Sequence, residues 1–141
     1  LFIIGPPRSG TTILYQLLLS AYRFAYLCNL DALFAPAVAL SDRFSGPFKD
    51  RLPDKGDHSV YGYVPGLFAP SEAGVLFRLW FEQEGAVPEV NIRNQIDTMA
   101  SRAGGPFLCK NTWNTLRIRR ILTVLPNARF IWVKRDPARI C

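Results

Sequence analysis

Apolar and polar positions fall in blocks along the chain. Leu1-Phe2-Ile3-Ile4 is a continuous apolar run that predicts a buried strand. Gly5 to Gly10 interrupts it, and Thr11-Thr12 opens an apolar helix reaching about Leu19. Within 25–40 the apolar stretches are broken by Asn29 and Asp31, short of the roughly 18–20 residues a membrane span needs. Residues 41–70 read as irregular, with eight Gly or Pro punctuating Phe44, Phe48, Tyr61, Tyr63 and Phe68. A loop of that length inside a compact domain is usually a lid or binding segment. Ser71 reads as the N-cap of a helix over 72–83, with Val75, Leu76, Leu79 and Trp80 on one face. A second amphipathic helix fits 91–102 and stops at Gly104-Gly105. Residues 107–110 read as a short buried strand, 114–125 as a helix stopped by Pro126, and 129–134 as a strong apolar strand. Continuous apolar strands separated by helices predict an α/β fold, with a parallel sheet covered on both faces.

Length and composition change this little. The 141 residues are 49% apolar and 20% charged, an ordinary globular balance sized for one domain or a piece of one. The chain begins inside a strand, ends inside a fresh turn and shows no leader segment. The expectation is an internal piece whose domain continues past Cys141. Charge is more informative. Residues 1–109 hold nine Lys or Arg against ten acids, whereas 110–141 hold eight against Asp136 alone. A basic end of this kind suits an anionic ligand; Arg117, Arg119 and Arg120 read instead as a solvated helix face. Nucleic acid is not expected as a partner. Cys28, Cys109 and Cys141 form no CxxC pair and fit a reducing, cytoplasmic setting. His58 is the only histidine, so no metal site is expected.

The chemistry starts at Gly5-Pro6-Pro7-Arg8-Ser9-Gly10. A strand, then two glycines five apart, then a helix is the frame of a phosphate loop, in which backbone N–H groups and the helix N-terminus cradle anionic oxygens. A triphosphatase would follow Gly10 with Lys; here that position is Thr11, and the cation sits within the loop as Arg8. This suits a smaller anion held by one cation and several hydroxyls. The competing reading is a plain Gly/Pro turn with Arg8 exposed.

Pro7-Arg8-Ser9-Gly10-Thr11-Thr12 resembles the 5′-phosphosulfate loop of sulfotransferases that use 3′-phosphoadenosine 5′-phosphosulfate, PAPS. Cytosolic members usually carry Lys in place of Arg8; tyrosylprotein and many bacterial members carry Arg. Arg129-Phe130-Ile131-Trp132-Val133-Lys134-Arg135-Asp136-Pro137 resembles the strand and turn that bind the 3′-phosphate, with Arg135 matching the phosphate-binding Arg. The family's partnering serine would fall just past Cys141. Phe107-Leu108-Cys109-Lys110-Asn111-Thr112 resembles the strand whose terminal Lys faces the transferred group, although Lys110 also reads as an ordinary surface lysine at a strand end.

The resemblance implies a P-loop-like three-layer α/β domain with a central parallel sheet, its C-terminal part lying beyond this chain. Within 1–141 the phosphosulfate loop would be 5–12, the acceptor segment about 41–84, and the 3′-phosphate strand 129–137. It implies PAPS as co-substrate, no metal, and a small-molecule, glycan or peptide acceptor. Pro7, Arg8, Ser9, Gly10, Thr11, Thr12 and Arg135 would bind the co-substrate, and Arg8 and Lys110 would stabilise charge on the bridging oxygen. The acceptor proton needs a base. Cytosolic members place a His two residues after the strand-end Lys, where this chain has Thr112. Pro70-Ser71-Glu72 resembles a segment of some bacterial members, so Glu72 is chosen, against its reading as a first-turn helix acid. His58 is the runner-up and Asp31 the third choice. Two rivals stay open: a P-loop kinase or triphosphatase, and a non-catalytic anion-binding relative.

Overall fold

The computed structural model describes residues 1–49, 64–83 and 85–136. Three short strands form one parallel sheet: β1 (Phe2–Ile4) lies between β2 (Cys109–Lys110) and β3 (Phe130–Trp132). Phe2 pairs with Cys109 on one side and Phe130 on the other. Backbone bonds from Phe2 N to Arg129 O, 2.8 Å, and from Val133 N to Ile4 O, 2.9 Å, extend the β1–β3 ladder.

Alternation along β1 divides the core. Successive strand residues face opposite sides, and Phe2 and Ile3 belong to different buried clusters. Ile3 packs with Tyr15 and Leu19 of helix α1 (Thr11–Ala21), together with Tyr26 and Leu108. Phe2 packs on the other side with three helices: α4 (Gly74–Phe81), α5 (Glu89–Ala103) and α6 (Ile118–Val124). The result is the expected three-layer α/β arrangement. Its cover is uneven: Trp132, on β3, is 62% exposed, so the expectation of a sheet buried on both faces holds for β1 and not for β3.

One helix replaces the first part of what reads as loop. Short α2 (Asn29–Leu33) and a 3₁₀ turn at Ala35–Ala37 lead into α3 (Val38–Lys49). Residues 41–49 are therefore helical, despite Gly46 and an internal Pro47. The physical reason is tertiary. Ser41, Ser45 and Lys49, spaced four apart on one helix face, all bond to the buried carboxylate of Asp31. Of the aromatics in the supposed acceptor segment, Phe48 and Phe68 stack on each other at 5.0 Å between centroids, and Phe44 is exposed. Tyr61, Tyr63 and His58 lie outside the described residues, as does Pro137.

Other boundaries shift by physics rather than by kind. α4 begins at Gly74, not at residue 72, because Ala73 takes a left-handed conformation (φ 44°, ψ 44°) that a helix cannot propagate. Ser71 is not the N-cap: Ala73 holds that place without a side-chain cap, and Ser71 Oγ accepts the Ala73 N–H at 3.1 Å in the turn before the helix. The buried face of α4 is Leu76, Phe77, Trp80 and Phe81, with Val75 exposed. The helix expected at 114–125 is a 3₁₀ turn at Thr112–Thr115 followed by α6. Arg117, at its start, is buried rather than solvated, paired with Glu82 and bonded to Asn114 Oδ1 at 3.1 Å.

Candidate active site

The loop after β1 owes its shape to three residues with positive φ. At Gly5 (φ 157°) an added Cβ would stand 2.7 Å from the carbonyl oxygen of Val133, so no larger residue fits beside β3. Arg8 (φ 64°) and Gly10 (φ 93°) flank Ser9, whose φ is negative. Alternating backbone handedness of this kind turns successive N–H groups toward one concave side. Gly10 is also the N-cap of α1, and the first amides of an α-helix have no partner within the helix. A non-glycine residue held at positive φ, as Arg8 is, is a strained geometry found at functional loops.

A cavity of about 430 Å³ opens over this loop at the C-terminal ends of the strands. Pro7, Arg8, Gly10, Thr11 and Thr12 line it from the loop, Lys110 from the end of β2, and Arg135 from beyond β3. Ile13, Glu72 and Thr112 complete the wall. The structure thus brings together residues from four separate parts of the sequence. Arg135 Nη1 donates to the carbonyl of Arg8 at 2.7 Å, which ties the two ends of the chain across 127 positions. Ser9 is the exception among the loop residues expected to bind the co-substrate. It is buried behind the cavity rather than lining it, and its Oγ has no hydrogen-bond partner among the described residues.

Lys110 and Glu72 form an ion pair at the rim. Lys110 is buried; the Glu72 side chain is 36% exposed. Two features hold Glu72 there. The segment is pinned to the core by Ser71 N donating to Leu27 O at 2.8 Å and by the Cys28–Pro70 bridge. Asn111, next to Lys110, donates from Nδ2 to the Glu72 carbonyl at 2.9 Å while its Oδ1 accepts the Trp113 N–H. Asn111 is a positioning residue that sequence reading did not single out; its one signal was its place between Lys110 and Thr112. The left-handed turn at Ala73 aims Glu72 at Lys110 instead of starting a helix, so the reading of Glu72 as a first-turn helix acid does not hold.

The third base candidate is placed elsewhere. Asp31 is fully buried and fully committed, bonded to Ser41, Ser45, Lys49 and the Cys28 amide. Burial alone would push its carboxyl up, but Lys49 and the Cys28 N–H outweigh it and hold it below the usual range. It does not line the cavity. Burial pushes the Cys28 thiol up to about 11 and raises Cys109 further, so neither is a nucleophile near neutral pH. No cluster of three potential metal ligands occurs among the described residues.

The protein is thus a parallel α/β sheet with a cation-lined cavity at its strand ends, over a glycine loop leading into a helix. The family model described as the sulfotransferase family matches residues 1–141, the whole chain, and the chain belongs to that family. It is thus a member of a family of transferases that move sulfuryl groups. No curated protein and no solved structure matches it. Among the described residues no helix is long and apolar enough to cross a membrane.

Proposed function

We propose that this protein transfers a sulfuryl group from PAPS to a hydroxyl or amine acceptor by in-line displacement. The observation that carries the reading is the convergence of the 5–12 loop, Lys110 and Arg135 on one cavity beside a carboxylate. The donor set fits the co-substrate. It offers two guanidinium groups, one ammonium, three threonine hydroxyls and helix N-terminal amides for a ligand with two separate anionic ends.

In this reading the side chains of Arg8, Thr11 and Thr12 and the N–H groups of Arg8 and Gly10 hold the 5′-phosphosulfate, with Pro7, which has no N–H, shaping the wall. Ser9 supports them from behind, and Arg135 takes the 3′-phosphate. Lys110 and Arg8 stabilise the negative charge that builds on the bridging oxygen as the S–O bond to the phosphate breaks. Glu72 accepts the acceptor's proton. His58, proposed from sequence as the alternative base, lies outside the described residues. The cation at Arg8 and the Thr at position 11 suit this chemistry better than a triphosphate with magnesium.

The test is calorimetric titration of adenosine 3′,5′-bisphosphate against ATP–Mg²⁺. The bisphosphate is expected to bind in preference, and Arg8→Ala to abolish its binding. Preference for ATP–Mg²⁺ would transfer the site to the kinase reading, and undiminished binding in Arg8→Ala would remove the loop from it.

A further inference from the structure

Arg117 is a buried cation that the proposed chemistry does not use. It lies on the same two runs of chain that carry Glu72 and Lys110. Glu72 precedes the N-cap of α4, and Glu82 is its C-cap. On the facing run, Lys110 ends β2, Asn111 caps the 3₁₀ turn and Arg117 caps α6. The two runs are joined at both ends. At one, Glu72 pairs with Lys110, and Asn111 Nδ2 donates to the Glu72 carbonyl at 2.9 Å. At the other, Arg117 Nε donates to Glu82 at 2.6 Å. The lengths match, since the eight residues of α4 rise about 12 Å, and 3₁₀ rise from 111 to 117 gives about the same. Asn114 N bonds Asn111 O and Arg117 N bonds Asn114 O, both at 3.1 Å. This three-residue spacing lays Asn111, Asn114 and Arg117 over one another, and all three are buried. Arg117 Nη1 also donates to Asn114 Oδ1 at 3.1 Å, which ties the ladder together.

We propose that Arg117 is a positioning residue for sulfuryl transfer: held by Glu82 and Asn114, it sets the axial register of α4 and so keeps Glu72 on Lys110. The proposal rests on the roles given above to Glu72 and Lys110, and adds a residue that touches neither. Apolar packing alone does not fix that register. Leu76, Phe77, Trp80 and Phe81 of α4 share one apolar cluster with Cys109 and Ile121, and such contact is non-directional. The polar contacts at the two ends of α4 supply the direction. Only Ala73 separates Glu72 from α4, so a shift of the helix carries Glu72 with it. Glu72 lines both the co-substrate cavity and a second cavity of about 760 Å³, so its placement sets what the carboxylate meets on either side. A displacement of about 1 Å at a reacting group costs up to about 10²-fold in rate.

The test compares wild type, Arg117→Met and Arg117→Lys in turnover of PAPS with water as the acceptor. There the water oxygen bonds sulfur, its proton passes to Glu72, and the broken S–O pair leaves with the phosphate, giving sulfate and bisphosphate. Glu82 is half-exposed and keeps Arg78 at 3.6 Å, so Arg117→Met strands no acid there. The expected result for Arg117→Met is a kcat at least about tenfold lower, with KM for PAPS and bisphosphate affinity held within about twofold. Arg117→Lys, which keeps a cation for Glu82, should recover part of the rate. Unchanged kcat in Arg117→Met, or kcat and bisphosphate binding falling together with folded content, would overturn the proposal. A double-mutant cycle of Arg117→Met with Lys110→Met in urea needs no ligand. The two side chains share no hydrogen-bond partner among the described residues, so a merely structural Arg117 predicts additive effects. Coupling through α4 should instead move the double variant's unfolding constant at least about threefold from the product of the single effects. A wild type that never binds bisphosphate would sink the co-substrate reading alone. The cycle then decides the role of Arg117, and additivity would overturn it.

Discussion

Lys49 and Lys110 are both almost fully buried, and each meets a carboxylate, but their surroundings differ. Around Lys49 the set is closed. Its Nζ bonds Asp31 at 2.7 Å, Asp42 at 3.0 Å and the Tyr26 carbonyl at 2.9 Å, and Asp31 is saturated by two serines and an amide. Arg102 closes the outer side, 3.2 Å from Asp42. Around Lys110 the set is open: Glu72 is partly exposed and stands between two cavities. A buried lysine–carboxylate pair is therefore no marker of a site. What marks one is hydrogen-bonding capacity left over on the side where a ligand can arrive.

The contrast breaks most sharply at Lys49. Replacing it in Lys49→Met leaves Asp31 and Asp42 without their shared cation, and the expected loss is about 3–5 kcal/mol. Urea unfolding measures it, and a loss below about 1 kcal/mol would dissolve the distinction between the two pairs. The pH dependence sharpens the same point. Asp31 is held below its ordinary value, so its contribution is complete above about pH 4 and is lost as pH falls through the folded value. For Lys49, burial lowers the ammonium's value, but Asp31 and Asp42 outweigh it and leave it raised. Its contribution is complete below about pH 10.5 and is lost as pH rises through the folded value. Asp31→Asn should flatten the acid limb of the stability profile; an unchanged limb would place acid sensitivity elsewhere.

Lys110→Met should behave in the opposite sense. Glu72 can turn to water when its partner is removed, so the stability change should stay well under that of Lys49→Met. The transfer rate, in contrast, should fall about 10²–10³-fold, as for loss of one charge-stabilising donor. Paired measurement of unfolding and turnover decides it. Equal destabilisation by the two lysine variants, with turnover following fold content alone, would make Lys110 a second structural ion.

How far these regions were legible in the sequence follows from how local their causes are. The sheet was legible, because its strands fall in continuous apolar runs at 1–4, 107–109 and 130–133. The loop was legible from two glycines at fixed spacing. α3 was not, because Gly46-Pro47 reads as a break, and nothing in the spacing shows that Asp31, in another helix, collects Ser41, Ser45 and Lys49. Glu72 came from a resemblance. Its partner lies 38 residues away, and spacing alone says nothing of that pair.

The strip at 117–120 gives the finest version of the same lesson, because three arginines there look alike in sequence and are not alike in space. Arg119 is exposed. Arg120 reaches Glu89 at 2.8 Å with both partners about one-third exposed. Arg117 is buried, its Nε 2.6 Å from Glu82 and its Nη1 on Asn114, which is itself fully buried. Removing Arg117 strands the Asn114 oxygen without a donor, and Arg117→Ala should cost about 1–3 kcal/mol. Arg120→Ala gives up a screened surface pair and should cost less than about 1 kcal/mol. Arg119→Ala should stay within about 0.5 kcal/mol of the wild type. Unfolding midpoints measured at low and high salt order the three. Salt should erase the Arg120 effect and spare most of that at Arg117, since the Arg117–Asn114 bond is buried and involves no second charge. Three equal small losses, all vanishing in salt, would return the whole strip to the solvated face that its charge pattern suggests.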